Sequence, residues 1–510
     1  MSILLFKSFL PEFFLFCCIL YLLILNTKFL VNLKKIYIFE LELFSQIFFI
    51  LICLMFLLFN QKLEGIFLDF LFINDNSGNF LKITFLFVIL LSLPIMFQNF
   101  KIQKINFLEY FILYLLVIFG LFLLINCFDL ISAYLILELQ ALCFYILASF
   151  NRSSSFSIES GLKYFIIGSF ISGFFLFGCL LVYAVLGTTN FQKILLLLIV
   201  PFNDNLHIYF LILLLGVFII TSTLLFKIAV FPFHFWAADV YEGAPLISTI
   251  VFTVLTKISL FTFFIRWLSV VLPNFSELSF FLICSGIGSI FIGAYMAIEQ
   301  KRFKRFIIYS SISQMGFIVT VLSVYTLNAY ISVYFYLFIY LISILVLWSC
   351  LTTIYNFNFI KNKFFKSFLN RPIFLTDLNC LFRSNYFWSI IILIIFFSFS
   401  GIPPFSGFLA KIFIILSLID EQFYFVSFSI VLLSILSSFY YMRIIKIIFF
   451  EKTIYSFSLL KFYSNFNNDN LINIIYVIKV VLTFILILTF FFPTFFLLVS
   501  NCIVLSFFGI

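Results

Sequence analysis

Apolar runs of about 20 residues recur along this chain from end to end, and they leave few possible folds. Of its 510 residues, 65% are hydrophobic and only 10% are charged, so lipid must solvate nearly the whole length of the chain. A backbone in lipid has to satisfy its own hydrogen bonds, which restricts it to helices or a closed barrel. The runs are continuous rather than alternating, which favours helices. The sequence therefore predicts an all-α polytopic membrane protein.

About fourteen transmembrane helices are predicted from these runs and from the polar stretches between them. Their approximate positions are residues 12–32, 38–59, 81–99, 107–127, 130–150, 161–186, 206–236, 245–270, 276–298, 305–325, 328–355, 387–419, 422–449 and 471–499.

The seventh and twelfth predicted helices are interrupted in mid-membrane, by Pro232 and by Pro403-Pro404. Proline removes an amide donor and clashes with the preceding turn, so we expect both helices to be discontinuous. Interrupted helices at corresponding positions indicate an internally repeated transporter with an ion site at the midplane. Two ordinary proline kinks are the alternative.

Ionisable side chains deep in a membrane cost at least about 2.5–3.5 kcal/mol each, so each needs a partner, a water path or a function. Glu138 lies in the middle of the fifth predicted helix, and Lys163 lies near the start of the sixth. Helices joined by a short loop are neighbours, so Lys163 is a candidate cation for Glu138. The alternatives for Lys163 are a pair with Glu159 and snorkelling to the interface.

Three further lysines lie deep in predicted helices. Lys227 precedes the first break by five residues, and His234 follows it by two helical turns, about 10 Å away on the same face. Lys257 lies in mid-span without an acidic neighbour in sequence, and Lys411 lies just after the second break. Burial makes the charged form of a lysine costly, so a buried lysine both accepts and releases a proton. With Glu138, these residues suit a proton relay better than a metal site. For His234 alone, a buried imidazole with satisfied hydrogen bonds is the alternative.

Residue counts argue against other kinds of site. The ten cysteines are scattered without a CxxC pair, and the two histidines, His207 and His234, are about 40 Å apart along one helical stretch. We therefore expect no metal and no redox cofactor in this chain. The net charge of +9 comes mostly from short loops such as 301–305, which indicates membrane orientation rather than nucleic-acid binding. Lys82 and Arg266 lie near predicted helix ends, where their charged groups can reach the membrane interface by snorkelling. The sequence gives no explanation for Lys479, about nine residues into the last predicted helix.

Phenylalanine accounts for 85 residues and glycine for only 17. Nothing in the physics of membrane helices requires this bias, whereas the codons for phenylalanine, isoleucine, asparagine, lysine and tyrosine are AT-rich. We therefore expect an AT-rich, organellar genome. The chain runs from Met1 into the first apolar run without a signal or transit peptide, which agrees with synthesis inside the organelle.

Several strings between residues 106 and 450 carry a family resemblance. They are Glu138-Leu139-Gln140, the stretch 159–165, the stretch 231–245, Lys304-Arg305 with Tyr309-Ser310-Ser311, and Gly401-Ile402-Pro403-Pro404 with the stretch 407–411. Together they resemble the NADH dehydrogenase subunit 2 family of respiratory complex I, whose bacterial counterpart is subunit N.

The resemblance implies a fold of about fourteen helices with two inverted five-helix repeats, in which helices 7 and 12 are discontinuous. It implies the following division of the chain: helices 1–3 in residues 1–105, a first repeat (helices 4–8) in 106–270, a second repeat (helices 9–13) in 271–450, and helix 14 in 451–510.

The resemblance also implies roles for the buried charges. Glu138 and Lys163 match a mobile ion pair, and Lys411 matches the lysine nearest the exit of the proton path. Lys227 and Lys257, with His234 between them, match the central relay of the family. The sequence departs from the pattern at Gln314, where relatives often carry a histidine, and glutamine cannot titrate.

On this resemblance the chain translocates protons across the mitochondrial inner membrane, as a multi-pass protein, while quinone is reduced elsewhere in the complex. FMN, iron–sulfur clusters and ubiquinone are then expected in other subunits. The expected partners are other membrane-arm subunits, including a neighbouring antiporter-like subunit, and membrane lipids. Two alternatives remain at this point: a stand-alone cation/proton antiporter, and a structural subunit with an inactive channel, which the intact buried charges disfavour.

Overall fold

The computed structural model describes residues 9–29, 36–60, 65–67, 70–103, 107–199, 207–361, 374–379, 381–451 and 470–508. This part of the chain is almost entirely helical. Its helices are α1 (Leu10–Phe29), α2 (Ile36–Phe59), α3 (Asn76–Gln103), α4 (Phe107–Asn126), α5 (Leu130–Ala148), α6 (Ser155–Leu186), α7 (Phe191–Leu198), α8 (His207–Ile228), α9 (Phe235–Gly243), α10 (Leu246–Ile250), α11 (Thr256–Val271), α12 (Ser276–Glu299), α13 (Phe303–Leu322), α14 (Leu327–Lys361), α15 (Leu381–Ser384), α16 (Tyr386–Ser400), α17 (Ser406–Asp420), α18 (Tyr424–Phe449), α19 (Asn470–Phe491) and α20 (Thr494–Phe508).

Eleven helical stretches in the described ranges are long and apolar enough to cross a membrane, and four shorter apolar helices accompany them. The chain is a polytopic integral membrane protein. Each predicted span coincides with one helix or with consecutive helices divided by a break. The fourteenth span was predicted as one helix, but it divides at Pro493 into α19 and α20. The side chain of His207 lies outside the described residues.

Both predicted interruptions are present. The seventh span divides into α8 and α9, and Ala229 after the first half has a left-handed φ of 68°. The twelfth span divides into α16 and α17, and Gly401 follows the first half with a φ of 80°. The eighth span contains a π-helical turn, Val251–Leu255, just before Lys257. Single π turns within α-helices are frequent at functional sites.

Two charged side chains differ from the snorkelling predicted for them. Lys82 is fully buried and forms an ion pair with Glu12, whose carboxylate also accepts a hydrogen bond from Asn126 at 3.3 Å. Arg266 is 3% exposed and donates to both oxygens of Asp75, at 2.9 and 2.8 Å. The snorkelling prediction was wrong for both, because each has a carboxylate partner on a distant part of the chain.

The described residues also include a short β-hairpin and a side-chain cap at the start of α5. The strands β1 (Gly65–Phe67) and β2 (Phe72–Asn74) form an antiparallel hairpin. Asp129 caps α5 by accepting from the first amides of that helix, and Thr189 donates to its other oxygen at 2.6 Å. These contacts fix the start of α5, the helix that carries Glu138.

Candidate functional site

Lys227 faces an internal cavity of about 30 Å³ between α5, α6, α8, α9 and the eighth span. Polar and aromatic residues line it: Gln140, Tyr164, Trp236, Tyr241, Phe252 and Thr256. A water molecule needs roughly 10–15 Å³ and several polar partners. The Nε2 atom of Gln140 is buried and has no protein partner, so it offers one such group beside the Lys227 ammonium. The cavity therefore suits a small number of waters next to Lys227.

Glu138 is half-buried in the middle of α5, as predicted. It makes no ion pair among the described residues, and Leu137 and Gln140 on either side of it line the Lys227 cavity. Lys163 is 46% exposed and forms ion pairs with Glu159 at 2.7 Å and with Asp239 at 3.7 Å. The structure therefore does not bring Lys163 into contact with Glu138, and the pair with Glu159 that the sequence left as an alternative is present.

Lys257 of the eighth span and Lys411 of the twelfth span each donate to a helix-end carbonyl at one of the two breaks. Lys257 is 3% exposed and donates at 2.7 Å to the carbonyl of Ile228, the last residue of α8. Lys411 is 6% exposed and donates at 2.9 Å to the carbonyl of Ser400, the last residue of α16. The last carbonyls of a helix lack intrahelical partners and carry partial negative charge. Each broken helix thus supplies a site that stabilises a lysine ammonium inside the membrane.

Sequence reasoning missed a third lysine of this kind, Lys304. It is buried near the start of α13 and donates to the carbonyls of Glu242 and Ala244, at 3.0 and 2.6 Å. These carbonyls end α9, the second half of the seventh span. The basic stretch 301–305 concealed Lys304, because the sequence does not show which of its four positive charges turns inward. The available signal was that Lys304-Arg305 is one of the strings that carry the family resemblance.

His234 lies in the break before α9, as predicted, and is 2% exposed. Its ring lies between those of Phe231 and Phe235, with centroids 6.1 and 4.2 Å away. The Nδ1 atom is buried without a hydrogen-bond partner. A buried polar atom without a partner is costly, so this nitrogen is available to a water or a proton in the break.

Gln314 lies beside the second break. Its amide nitrogen donates to the hydroxyl of Tyr441 at 3.1 Å and to the carbonyl of Phe399 at 3.5 Å, and its oxygen accepts from Tyr336. Phe399 precedes the residue whose carbonyl binds Lys411. Gln314 therefore holds a hydrogen-bonded position next to the second lysine site without being able to titrate.

Lys479, unexplained from the sequence, is fully buried in α19. It donates to the hydroxyl of Thr353 at 3.1 Å, and its ammonium lies over the rings of Trp388 and Tyr476 at 5.0 and 5.3 Å. Aromatic faces stabilise a desolvated cation. The surroundings therefore explain how this lysine is accommodated away from both breaks.

Gly407 in the first turn of α17 permits the close packing of the two halves of the twelfth span. A Cβ atom there would lie 1.7 Å from the carbonyl oxygen of Ser398 in α16. We expect Gly407→Ala to reduce the free energy of unfolding by about 1–3 kcal/mol, because the backbone must shift. The thermal stability of the purified protein measures this loss. Gly173→Ala is the matched control, since nothing lies within 4 Å of its added methyl group. Equal losses in the two variants would contradict the packing argument.

No group of three or more His, Cys, Asp or Glu side chains that could hold a metal ion occurs in the described ranges. The site is therefore built from lysines, one carboxylate, one histidine, backbone carbonyls and a small cavity.

Comparison with known proteins places the chain in a family. The family model described as NADH:quinone oxidoreductase/Mrp antiporter, TM, matches residues 127–437. The chain is 37% identical to NADH-quinone oxidoreductase subunit N of Pelagibacter ubique over 400 residues, which cover 78% of this chain and 81% of that relative. It is 34% identical to NADH-ubiquinone oxidoreductase chain 2 of Marchantia polymorpha over 383 residues, 74% of each chain. A solved chain of respiratory complex I from Thermus thermophilus has the same fold, with a TM-score of 0.74 at 20% identity, covering 96% of this chain and 99% of that chain.

Proposed function

Since this chain belongs to the NADH:quinone oxidoreductase/Mrp antiporter membrane family, we propose that it is the antiporter-like, proton-translocating subunit of respiratory complex I that corresponds to subunit N. The family includes both redox complexes and antiporters, so membership alone does not choose between them. The names of the two relatives favour the complex I subunit, because both are NADH oxidoreductase chains matched over about three quarters of this chain. In this assignment the chain is part of a proton-translocating NADH:quinone reductase and performs no redox chemistry itself.

The observation that carries the mechanism is the lysine bound to the end of a broken helix, which occurs at both breaks. We propose that a proton passes from Lys227 through the adjacent cavity and His234 to Lys257, and from there to Lys411. Helix-end carbonyls stabilise the loaded forms of Lys257 and Lys411, while burial favours the release of their protons. Each proton moves against about 2.3 kcal/mol per 100 mV of membrane potential.

Glu138 and Lys163 control the loading of Lys227 in this proposal. The negative charge of Glu138, whose neighbours line the Lys227 cavity, favours the protonated form of Lys227 as long as Glu138 has no closer cation. When Lys163 approaches Glu138, that attraction weakens and Lys227 releases its proton. A signal from a neighbouring subunit has then only to change the separation of Glu138 and Lys163.

We further propose that residues 106–270 and 271–450 form two inverted repeats, flanked by the segments 1–105 and 451–510. The support is that two helices five spans apart, α8 with α9 and α16 with α17, are broken, and that the first half of each ends on a carbonyl that accepts from a lysine. This division stays a prediction.

For the location we propose the mitochondrial inner membrane, with support from the phenylalanine-rich composition and from relatives in the plants Marchantia polymorpha and Arabidopsis thaliana. The proposed partners are the other membrane-arm subunits, including a neighbouring antiporter-like subunit, with lipid on the exposed apolar surface. FMN, iron–sulfur clusters and ubiquinone belong to other subunits in this proposal.

Membrane vesicles that lack this chain test the function. We expect NADH-driven proton pumping to be lost, because the chain forms part of the coupled path. The control is a vesicle preparation to which an intact copy of the chain has been restored. Vesicles that still pump with NADH but lose cation/proton exchange would instead support the stand-alone antiporter.

A further inference from the structure

An ion-pair network joins α6, α9 and α13. Lys163 of α6 pairs with Glu159 and reaches Asp239 of α9, 3.7 Å from its Oδ2 atom. The Oδ1 atom of Asp239 accepts from Arg305 of α13 at 2.9 Å. Arg305 also binds Glu242 of α9. Asp239 therefore connects Lys163 to α13, which lies in the second half of the chain.

The far end of α9 is held firmly. A Cβ atom on Gly243 would lie 2.6 Å from the carbonyl oxygen of Phe156 in α6, so the two helices are in close contact there. Lys304 binds the carbonyls of Glu242 and Ala244 at the same end. The close backbone contact at Gly243 and the hydrogen bonds of the buried Lys304 therefore fix α9 between α6 and α13.

The contact between Lys163 and Asp239 differs from those fixed contacts. Both side chains are 46% exposed, and their closest nitrogen and oxygen atoms are 3.7 Å apart. Exposed ion pairs are weak because solvent screens them and because long side chains lose freedom on pairing. This contact can therefore open while the rest of the network stays closed.

The same part of α6 forms a wall of the Lys227 cavity. The ring of Tyr164, which follows Lys163, stacks on Trp236 of α9 with centroids 5.0 Å apart and planes inclined by 4°. Both rings line the cavity, and the Trp236 indole donates at 3.1 Å to the carbonyl of Phe226, next to Lys227. A change between α6 and α9 therefore reaches the surroundings of Lys227.

We propose that Asp239 is a positioning residue that holds Lys163 away from Glu138 and, through Arg305, makes this hold depend on the second half of the chain. The inference rests on the proposed function, because it assigns Asp239 a part in the step that loads Lys227. While Asp239 holds Lys163, Glu138 attracts the proton on Lys227. When Lys163 leaves Asp239 and its nearer partner Glu159, the lysine moves toward Glu138 and the proton on Lys227 leaves.

The test measures NADH-driven acidification by the complete complex in proteoliposomes. We expect Asp239→Asn to lower the acidification rate as far as Lys163→Met does, and the double variant to fall no further. Asp239→Glu is expected to restore pumping, because it keeps the charge. The control is Glu277→Gln, which removes an exposed carboxylate from the first turn of α12 and leaves pumping unchanged.

Additive losses in the double variant, or failure of Asp239→Glu to restore pumping, would overturn the proposal. If Asp239→Asn does not assemble, the exchange Lys163→Asp with Asp239→Lys is compared with Lys163→Asp alone; recovery supports the pairing and its absence overturns it. Lys227→Met is measured in parallel. Normal pumping by that variant contradicts the proposed function itself, whereas normal pumping by Asp239→Asn alone contradicts only the role of Asp239.

Discussion

Replacement of Lys227 by methionine is expected to abolish NADH-driven proton pumping while the complex stays assembled. Methionine fills a similar volume and can pack against the apolar residues of the cavity lining, such as Leu137 and Leu260, but it cannot carry a proton. A positioned proton-transfer group contributes roughly 10²–10⁴-fold to a rate, so we expect the acidification rate to fall by roughly 100-fold or more. Dye-reported acidification of proteoliposomes, at matched complex content, measures this loss.

The matched control is Lys193→Met, which removes an exposed lysine on α7, outside the broken helices. We expect normal pumping in this control. An assembled Lys227→Met complex that pumps at the rate of the unmodified complex would remove Lys227 from the path.

The second large effect is expected at the buried ion pair between Glu12 and Lys82. Both side chains are fully buried, and Asn126 adds a hydrogen bond to the carboxylate. Removal of one partner leaves the other charge without compensation, which typically costs about 3–5 kcal/mol. We therefore expect Glu12→Gln to lower the thermal stability of the purified complex strongly, and Glu12→Gln with Lys82→Met to recover much of the loss.

An exposed pair provides the comparison. Glu159 is 58% exposed in its pair with Lys163, so Glu159→Gln is expected to cost less than about 1 kcal/mol. A single Glu12→Gln variant as stable as Glu159→Gln, or a double variant less stable than the single one, would contradict a buried, stabilising ion pair between Glu12 and Lys82.

The membrane spans and the breaks at Pro232 and Pro403-Pro404 were predictable because their signals are local, whereas the division at Pro493 and the short helix α7 were missed. Apolar runs long enough to span a membrane and prolines in mid-run act within a few residues of the chain. The burial of Lys257 and Lys411 followed from their positions in those runs. Their hydrogen-bond partners, the carbonyls of Ile228 and Ser400, could not be predicted. Any side chain that packing brings to the end of a helix can donate to its last carbonyls.

Contacts between distant segments could not be predicted from the sequence. Glu12 and Lys82 are 70 residues apart, and Asp75 and Arg266 are 191 residues apart, so neither pair has a local pattern. The same reason applies to Asp239 with Lys163, because only the packing of α9 against α6 brings them together. The hairpin of β1 and β2 was missed because three-residue strands are too short to establish a periodicity.

The composition of the complex that contains this chain tests the central claim most directly. Solubilised membranes are separated on a native gel, the gel is stained for NADH dehydrogenase activity, and the active band is analysed by mass spectrometry. We predict that the chain is found in the active band together with other membrane-arm subunits. Its recovery only at the mass of a monomer or a dimer of the chain itself would contradict the complex I assignment and favour a free antiporter.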